Sequence, residues 1–355
     1  MSDAVVPIAS LRARLCDLSE KKSVRATDVI PFLEISDHSQ RSLLFEFADE
    51  IRRKYMGDGI FLRGIVEFSN ICGQDCCYCG LRRTNASLAR YRMSQEEILE
   101  AVREIFSFGI KTVVLQSGED HGLSASWLAD VIREIRDSFD MAVTLSVGER
   151  SPQDYAIWKQ AGADRYLLKI ETTDGSLYQR LRPAADLERR LACLKELKRL
   201  GYQTGSGIMV GLPGQTLASL AEDIVFFARE DFDMIGIGPF IPHPQTPLRD
   251  GDLGSAPLVL KVLALTRILT KSAHLPATTA MGSLDRDWRA EALKVGANVL
   301  MPNFTPLKYR RLYDIYPNKR CLDEPVGVCA ACADRIAEPL GRWVDYGRGD
   351  RCKIG

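Results

Sequence analysis

Cys72, Cys76 and Cys79 are separated by three and by two residues within Ile71-Cys72-Gly73-Gln74-Asp75-Cys76-Cys77-Tyr78-Cys79-Gly80. A loop with this spacing can turn three thiolates onto three irons of a 4Fe-4S cube. A cluster held by protein alone needs four cysteines, so one iron is left open. A structural zinc site also wants four ligands. No histidine lies nearby in the sequence, and Cys77 is hard to aim at the same metal as its direct neighbour Cys76. A disulfide would belong to an oxidising compartment.

An iron with a free position can be chelated by the amino and carboxylate groups of S-adenosylmethionine. Its sulfonium then lies beside a reductant able to cleave the carbon–sulfur bond and release a 5'-deoxyadenosyl radical. The spacing, with aromatic Tyr78 before the last cysteine, resembles the signature of radical S-adenosylmethionine enzymes. Further along, Gln116-Ser117-Gly118-Glu119-Asp120 combines a glycine that permits close backbone approach with acids able to accept from an ammonium group. Glu171, in Lys169-Ile170-Glu171-Thr172, can take ribose hydroxyls, or can be a solvated acid paired with Lys169. Arg180, Arg182 and Arg190 follow, any of which could grip a carboxylate with a two-pronged hydrogen bond, and spacing does not choose among them. Thr278 and Thr279 suit a polar or anionic ligand, or else bond to strand backbone. His243, between two prolines, reads as a packed loop residue before it reads as an acid–base group.

A second set, Cys321, Cys329 and Cys332, is separated by seven and by two residues. It can hold an auxiliary iron–sulfur cluster, or zinc with Cys352 as a fourth ligand. Cys16 and Cys193 fall in helical patterns and read as small buried residues.

Elements able to position these groups recur through the chain. Strands are predicted over 61–68, 112–116, 142–147, 165–170, 204–210, 234–240, 276–281 and 298–303. Helical patterns lie between them at 94–108, 127–139, 152–161, 187–200, 217–229 and 258–271, with Ser94 and Glu97 placed for a capping box. Eight such units predict an α/β fold, a (β/α)8 barrel of the TIM type whose loops after the strands build the site. An open doubly wound sheet is the alternative, but no glycine fingerprint opens the first helix. Before the barrel, Leu43, Leu44, Phe47, Ala48, Ile51 and Tyr55 mark a helix stopped by Gly57, with Arg52, Arg53 and Lys54 on a solvated face. The organisation expected is a helical extension over 1–58, a barrel over 59–305, and a cysteine-bearing segment over 306–355 packed on the barrel.

Composition excludes some function classes. Lys plus Arg equals Asp plus Glu at 47 each in 355 residues, so no basic excess points to nucleic acid or an anionic membrane. The N-terminus lacks signal-peptide features and no apolar run approaches a bilayer span, so a cytoplasmic protein is expected. In that compartment ten cysteines read as metal or redox ligands.

The chain resembles the HydE family, radical S-adenosylmethionine maturases of FeFe-hydrogenase, from Phe45 to the C-terminal cysteines. The motifs that carry the resemblance are Glu67-Phe68-Ser69-Asn70, the cysteine loop with Gly80-Leu81-Arg82-Arg83, and Val114-Leu115-Gln116-Ser117-Gly118-Glu119-Asp120. Met209-Val210-Gly211-Leu212-Pro213-Gly214-Gln215-Thr216, Gly236-Ile237-Gly238-Pro239-Phe240-Ile241-Pro242-His243-Pro244, Pro276-Ala277-Thr278-Thr279-Ala280 and Gly296-Ala297-Asn298-Val299 add to them.

The resemblance implies that Glu171 contacts the adenosyl part of S-adenosylmethionine, Arg190 its carboxylate and Ser117-Gly118-Glu119 its amino group, with Tyr78 also at the cofactor. It implies a cavity lined by Gln116, Thr144, Lys169, Met234, Thr278 and Thr279. The implied substrate is a cysteine-bound iron complex carrying carbon monoxide and cyanide, made by a HydG-like maturase. The product passes to a HydF-like scaffold, and the reaction needs an external one-electron reductant. Two departures bear on substrate: Lys169-Ile170 replaces the family's usual Arg-His, and His121 stands where proline is usual. Lysine keeps the charge and loses the planar fork. A radical enzyme acting on an organic substrate, as in methylornithine synthase or biotin synthase, stays open, as does a non-catalytic metal carrier.

Overall fold

The computed structural model describes residues 8–353, apart from the side chains of residues 326–331. The strands form a closed parallel barrel, as the alternation predicts. The first stave is split into β1 (Gly59–Leu62) and β2 (Gly64–Ser69). From β2 the sheet runs in sequence order through β3 (Thr112–Ser117), β4 (Ala142–Ser146), β5 (Arg165–Leu167), β6 (Gln203–Val210) and β7 (Met234–Pro239), every pair parallel. Single bridges join Met234 to His274 and Pro276 to Val299, and β8 (Val299–Leu300) pairs with β1 through Phe61–Val299 and Leu62–Leu300. These last pairings close the ring.

Two staves are shorter than the apolar runs suggest. The run over 165–170 leaves the ladder after Leu167, and Glu171, at φ 65°, rejoins it through a bridge to Ile208. The run over 276–281 pairs only at its start, then winds into a 3-10 turn at Thr279–Ser283. Pro276 has no N–H to give a ladder.

Helices cover the outside. Ser94 caps Gln95–Ser107 in the expected box with Glu97, and Ile98, Ala101, Val102 and Ile105 are buried along that helix, at the spacing of one apolar face. The N-terminal extension is three helices, Ile8–Glu20, Ala26–Leu33 and His38–Met56, the last ending at Gly57 and packing on Ala256–Thr270. Arg52 is not on a solvated face as expected: it is buried between Asp49, at 2.7 Å, and Asp58, at 2.9 Å. Two cysteines also differ from expectation. Cys16 is exposed on the first helix, and Cys193 is only half-buried.

The segment after β8 visits both ends of the barrel. Residues 307–320 cross the mouth, where Asn70 donates to the Leu312 carbonyl and Gly80 to that of Ile315. The chain then returns through the helix Val326–Ala337 to β9 (Trp343–Asp345), which pairs with β1. Residues 348–351 seal the opposite end: the Arg348 carbonyl accepts from Thr112 and Arg165, the Gly349 carbonyl from Arg63, and Arg351 donates to the Phe232 carbonyl.

Candidate cofactor site at the barrel mouth

The cysteine loop leaves β2 and is anchored by groups other than its thiols. Gly73 donates to the Glu119 carbonyl at 2.8 Å, Cys77 to that of Leu181 at 2.8 Å, and Asn70 to that of Ala89 at 2.8 Å. Asp75 accepts from the hydroxyl and amide of Thr84 and from Arg82 and Arg83, which hold its carboxyl at about 2 against the cost of its partial burial. Cys72, Cys76 and Cys79 remain free. Burial, followed by the proximity of Cys76 and Cys72, pushes the Cys79 thiol far above its usual range, and burial raises Cys72. Among the described residues no trio of His, Cys, Asp or Glu side chains is gathered tightly enough for a single metal ion.

The loop after β3 lies directly against the cysteines. A Cβ on Gly118 would stand 2.3 Å from the Ile71 carbonyl oxygen and 2.8 Å from the Cys72 Cβ, so no larger residue fits. Glu119 is buried and accepts from Gln74 and, at 3.3 Å, from Arg190. Despite burial, Arg190 and Arg182 hold its carboxyl below the usual range. His121 packs its ring against Gly73.

The structure separates the three arginines that spacing left equal. Arg180 is exposed and lies by Gly214, whereas Arg182 and Arg190 are buried and converge on Glu119. Arg190 also donates to Glu149 at 2.8 Å and to the Lys169 carbonyl at 2.6 Å.

Glu171 is buried beside the loop, and its carboxylate adds to the burial and the neighbouring thiols that push Tyr78 and Cys79 up. Its Oε2 lies 3.0 Å from Lys169 Nζ yet has no partner in hydrogen-bonding geometry. The bland reading, a solvated acid paired with Lys169, therefore keeps the pair and loses the solvent. Arg182 Nε and Tyr178 OH are likewise buried without partners.

The interior below is polar. Thr144 Oγ1 is buried and unpartnered, and Thr144 lines a small cavity with Arg63, Arg165 and Met234. Arg63 Nη1 approaches Met234 Sδ at 2.7 Å. Lys169 runs across Gly207, Gln116 donates to the Tyr313 hydroxyl at 3.3 Å, and Thr278 lies against Gly238 with Thr279 following it. His243 is buried as expected, bonded through Nε2 to Asp314 at 3.0 Å.

Sequence reasoning missed two groups here, Tyr313 and the Glu67–Lys319 pair, both of which depend on the segment after β8 folding back over the mouth. Glu67 inside a predicted strand was the available signal, since a charge in a barrel wall needs a partner. Of the second cysteine set, Cys321 and Cys332 line one small pocket with Thr279, Arg289 and Arg320, and Arg289 Nη2 stands 3.8 Å from Cys332 Sγ. The Cys329 side chain lies outside the described residues. Cys352 does not join them: it follows Arg351, which bonds Ser272 at the start of the stave that ends near Thr279.

A cube-bound aminosulfonium cofactor needs three thiols, a hydroxyl acceptor, and charges of both signs for an ammonium and a carboxylate. The free thiols, the buried Glu171 carboxylate and the buried guanidiniums of Arg182 and Arg190 fit those needs. The sequence model of the Radical SAM superfamily matches residues 66–227. The chain is 52% identical over 322 residues to the FeFe hydrogenase maturase subunit HydE of Thermotoga maritima, covering 91% of this chain and 92% of that one. It is 25% identical to 3-methylornithine synthase of Methanosarcina acetivorans, covering 81% of this chain and 82% of that one. The fold matches crystalline methylornithine synthase with a TM-score of 0.81 at 23% identity, over 94% of this chain and 97% of that one. It also matches HydG of Carboxydothermus hydrogenoformans at 0.78 and 18% identity, over 95% and 80%.

Proposed function

Because the chain belongs to the HydE family of radical SAM maturases of FeFe-hydrogenase, we propose that it acts on an iron precursor of that enzyme's two-iron subcluster. Membership brings a 4Fe-4S cluster and S-adenosylmethionine, which when bound supply one-electron cleavage of the cofactor's carbon–sulfur bond. Cys72, Cys76 and Cys79 hold the cluster, with Tyr78 beside them. Glu171 accepts from the ribose hydroxyls, Arg190 meets the carboxylate, and Ser117, Gly118 and Glu119 receive the amino group.

Gln116, Thr144, Lys169, Met234, Thr278 and Thr279 line the cavity that takes the substrate, a cysteine-bound iron with carbon monoxide and cyanide ligands. Lys169 offers an anionic complex one mobile ammonium instead of a planar fork. The segment over the mouth and the tail across the far end cover the two ends of the barrel. Cys321, Cys329 and Cys332 hold a second iron–sulfur cluster. The partners are a HydG-like maturase, a HydF-like scaffold and an external one-electron reductant in the cytoplasm. Among the described residues no helix is long and apolar enough to cross a membrane.

The observation that carries this reading is three thiols free of disulfides on one anchored loop, set against the buried carboxylate of Glu171 and the buried Arg182 and Arg190. The test is anaerobic reconstitution with iron and sulfide, followed by addition of S-adenosylmethionine. A changed cluster EPR signal and release of 5'-deoxyadenosine, dependent on Cys76, are expected. Transfer of deuterium from an organic substrate into 5'-deoxyadenosine would instead favour an organic substrate.

A further inference from the structure

We propose that Asp223 is a positioning residue for Glu171: from the helix Leu217–Glu230 it holds the turn that presents this carboxylate at the cofactor site. The proposal rests on the reading that Glu171 binds S-adenosylmethionine. Glu171 has φ 65°, a left-handed conformation that is strained for a residue with a side chain and persists only when its surroundings impose it. On one side the constraint is backbone: Glu171 N donates to the Gly207 carbonyl at 3.0 Å, and Met209 N to the Glu171 carbonyl at 3.3 Å. On the other side it is Asp223. One of its oxygens, Oδ1, accepts from both Thr173 N at 2.6 Å and Thr173 Oγ1 at 2.7 Å.

Packing alone gives no reason for an acid there. Asp223 is fully buried on the same helix face as Leu220, Ile224 and Phe227, and its Oδ2 has no partner in hydrogen-bonding geometry. A carboxyl buried in an apolar helix face costs stability, and such costs persist where another residue needs the geometry. Burial, reinforced by Asp174, lifts this carboxyl up to about 7 against the pull of Thr173 and Thr172, so a neutral amide is a fair replacement.

The turn reaches the cysteine loop as well. Asp174 N donates to Thr172 Oγ1 at 3.1 Å, and the Asp174 side chain caps Gly175–Leu181 by accepting from Leu177 N at 2.9 Å. That helix ends at Leu181, whose carbonyl takes the Cys77 amide.

The test measures S-adenosylmethionine dissociation from the reconstituted holoenzyme by EPR titration, with iron content and thermal melting recorded for each variant. Asp223→Ala is expected to raise the dissociation constant about tenfold at unchanged iron content, the release of strain on this scale corresponding to one decade. Asp223→Asn keeps the Oδ1 acceptor and is expected to stay within about twofold of the parent, a difference near thermal energy. A purely structural role would lower the melting temperature and leave the affinity alone, which would overturn the proposal. Equal losses in Asp223→Asn and Asp223→Ala would overturn it too. Should Asp223→Ala fail to fold, Thr173→Ala decides, with a loss of about threefold expected and none refuting the proposal. Glu171→Ala separates the two readings: if it binds as the parent does, the role of Glu171 fails, and if only it loses affinity, the role of Asp223 fails.

Discussion

Lys319, on the segment that crosses the barrel mouth, pairs its Nζ with Oε1 of Glu67 on β2, and both side chains are almost wholly out of solvent. Asn303 donates to the other oxygen of Glu67 at 3.0 Å, so the acid is satisfied from the stave of β8 and from the crossing segment together. Replacing Lys319 by Met leaves a buried carboxylate short of its counter-charge, and unfolding free energy should fall by about 3–5 kcal/mol. Adding Glu67→Gln to that variant removes the uncompensated charge and should restore part of the loss. Urea unfolding of the single and double variants checks this, and additive losses would contradict it.

Gly207 leaves room for Lys169 inside the barrel. A Cβ at position 207 would stand 2.1 Å from the Gly236 carbonyl oxygen and 2.9 Å from Lys169 Cε. Gly207→Ala should therefore cost roughly 1–3 kcal/mol, as overpacking does. It should also displace the lysine, so substrate affinity falls while 5'-deoxyadenosine is still formed without substrate. Thermal melting and an uncoupled cleavage assay read the two effects, and an unchanged melting temperature would refute the packing argument.

The two cysteine sets should be separable by iron analysis. Cys76→Ala is expected to lose about four irons per chain, the content of one cube, together with all cofactor cleavage. Cys332→Ser should lose only the remaining iron and keep cleavage, because Cys332 sits beside Arg289 and Arg320, apart from the first loop. Loss of cleavage in Cys332→Ser would tie the second site to the reaction.

Much of this architecture is legible in the chain because strands and helices alternate with glycines and acids at the strand ends, and each stave carries its own local signal. Cys72, Gly118 and Glu171 all stand just beyond such strand ends. What stayed hidden depends on long-range return of the chain. Nothing near Lys319 in sequence announces Glu67, and nothing in Arg348 or Asp350 announces that residues 348–351 close the far end against Thr112 and Arg165. Arg180, Arg182 and Arg190 could not be ranked, since burial separates them and spacing does not. The run over 276–281 looked like a full strand because periodicity does not register that Pro276 cannot donate to a ladder.

Asp223 should leave its mark on the pH dependence of stability. Its carboxyl rises from 3.8 to about 7 in the folded protein, chiefly through burial. The folded state then holds a proton that the unfolded chain has already released, so stability falls as pH rises between those two values and levels off above the upper one. A shift of this size corresponds to a loss of up to about 4 kcal/mol across the window. Asp223→Asn has no proton to exchange at this position, so its stability should decline less between pH 5 and 8, estimated at about one decade in the folding constant per pH unit of slope removed. Chemical unfolding of both proteins at several pH values measures the difference. Parallel curves would mean that the carboxyl is ionised in the folded protein, and that the Thr173 amide and hydroxyl stabilise its charge more than burial opposes it.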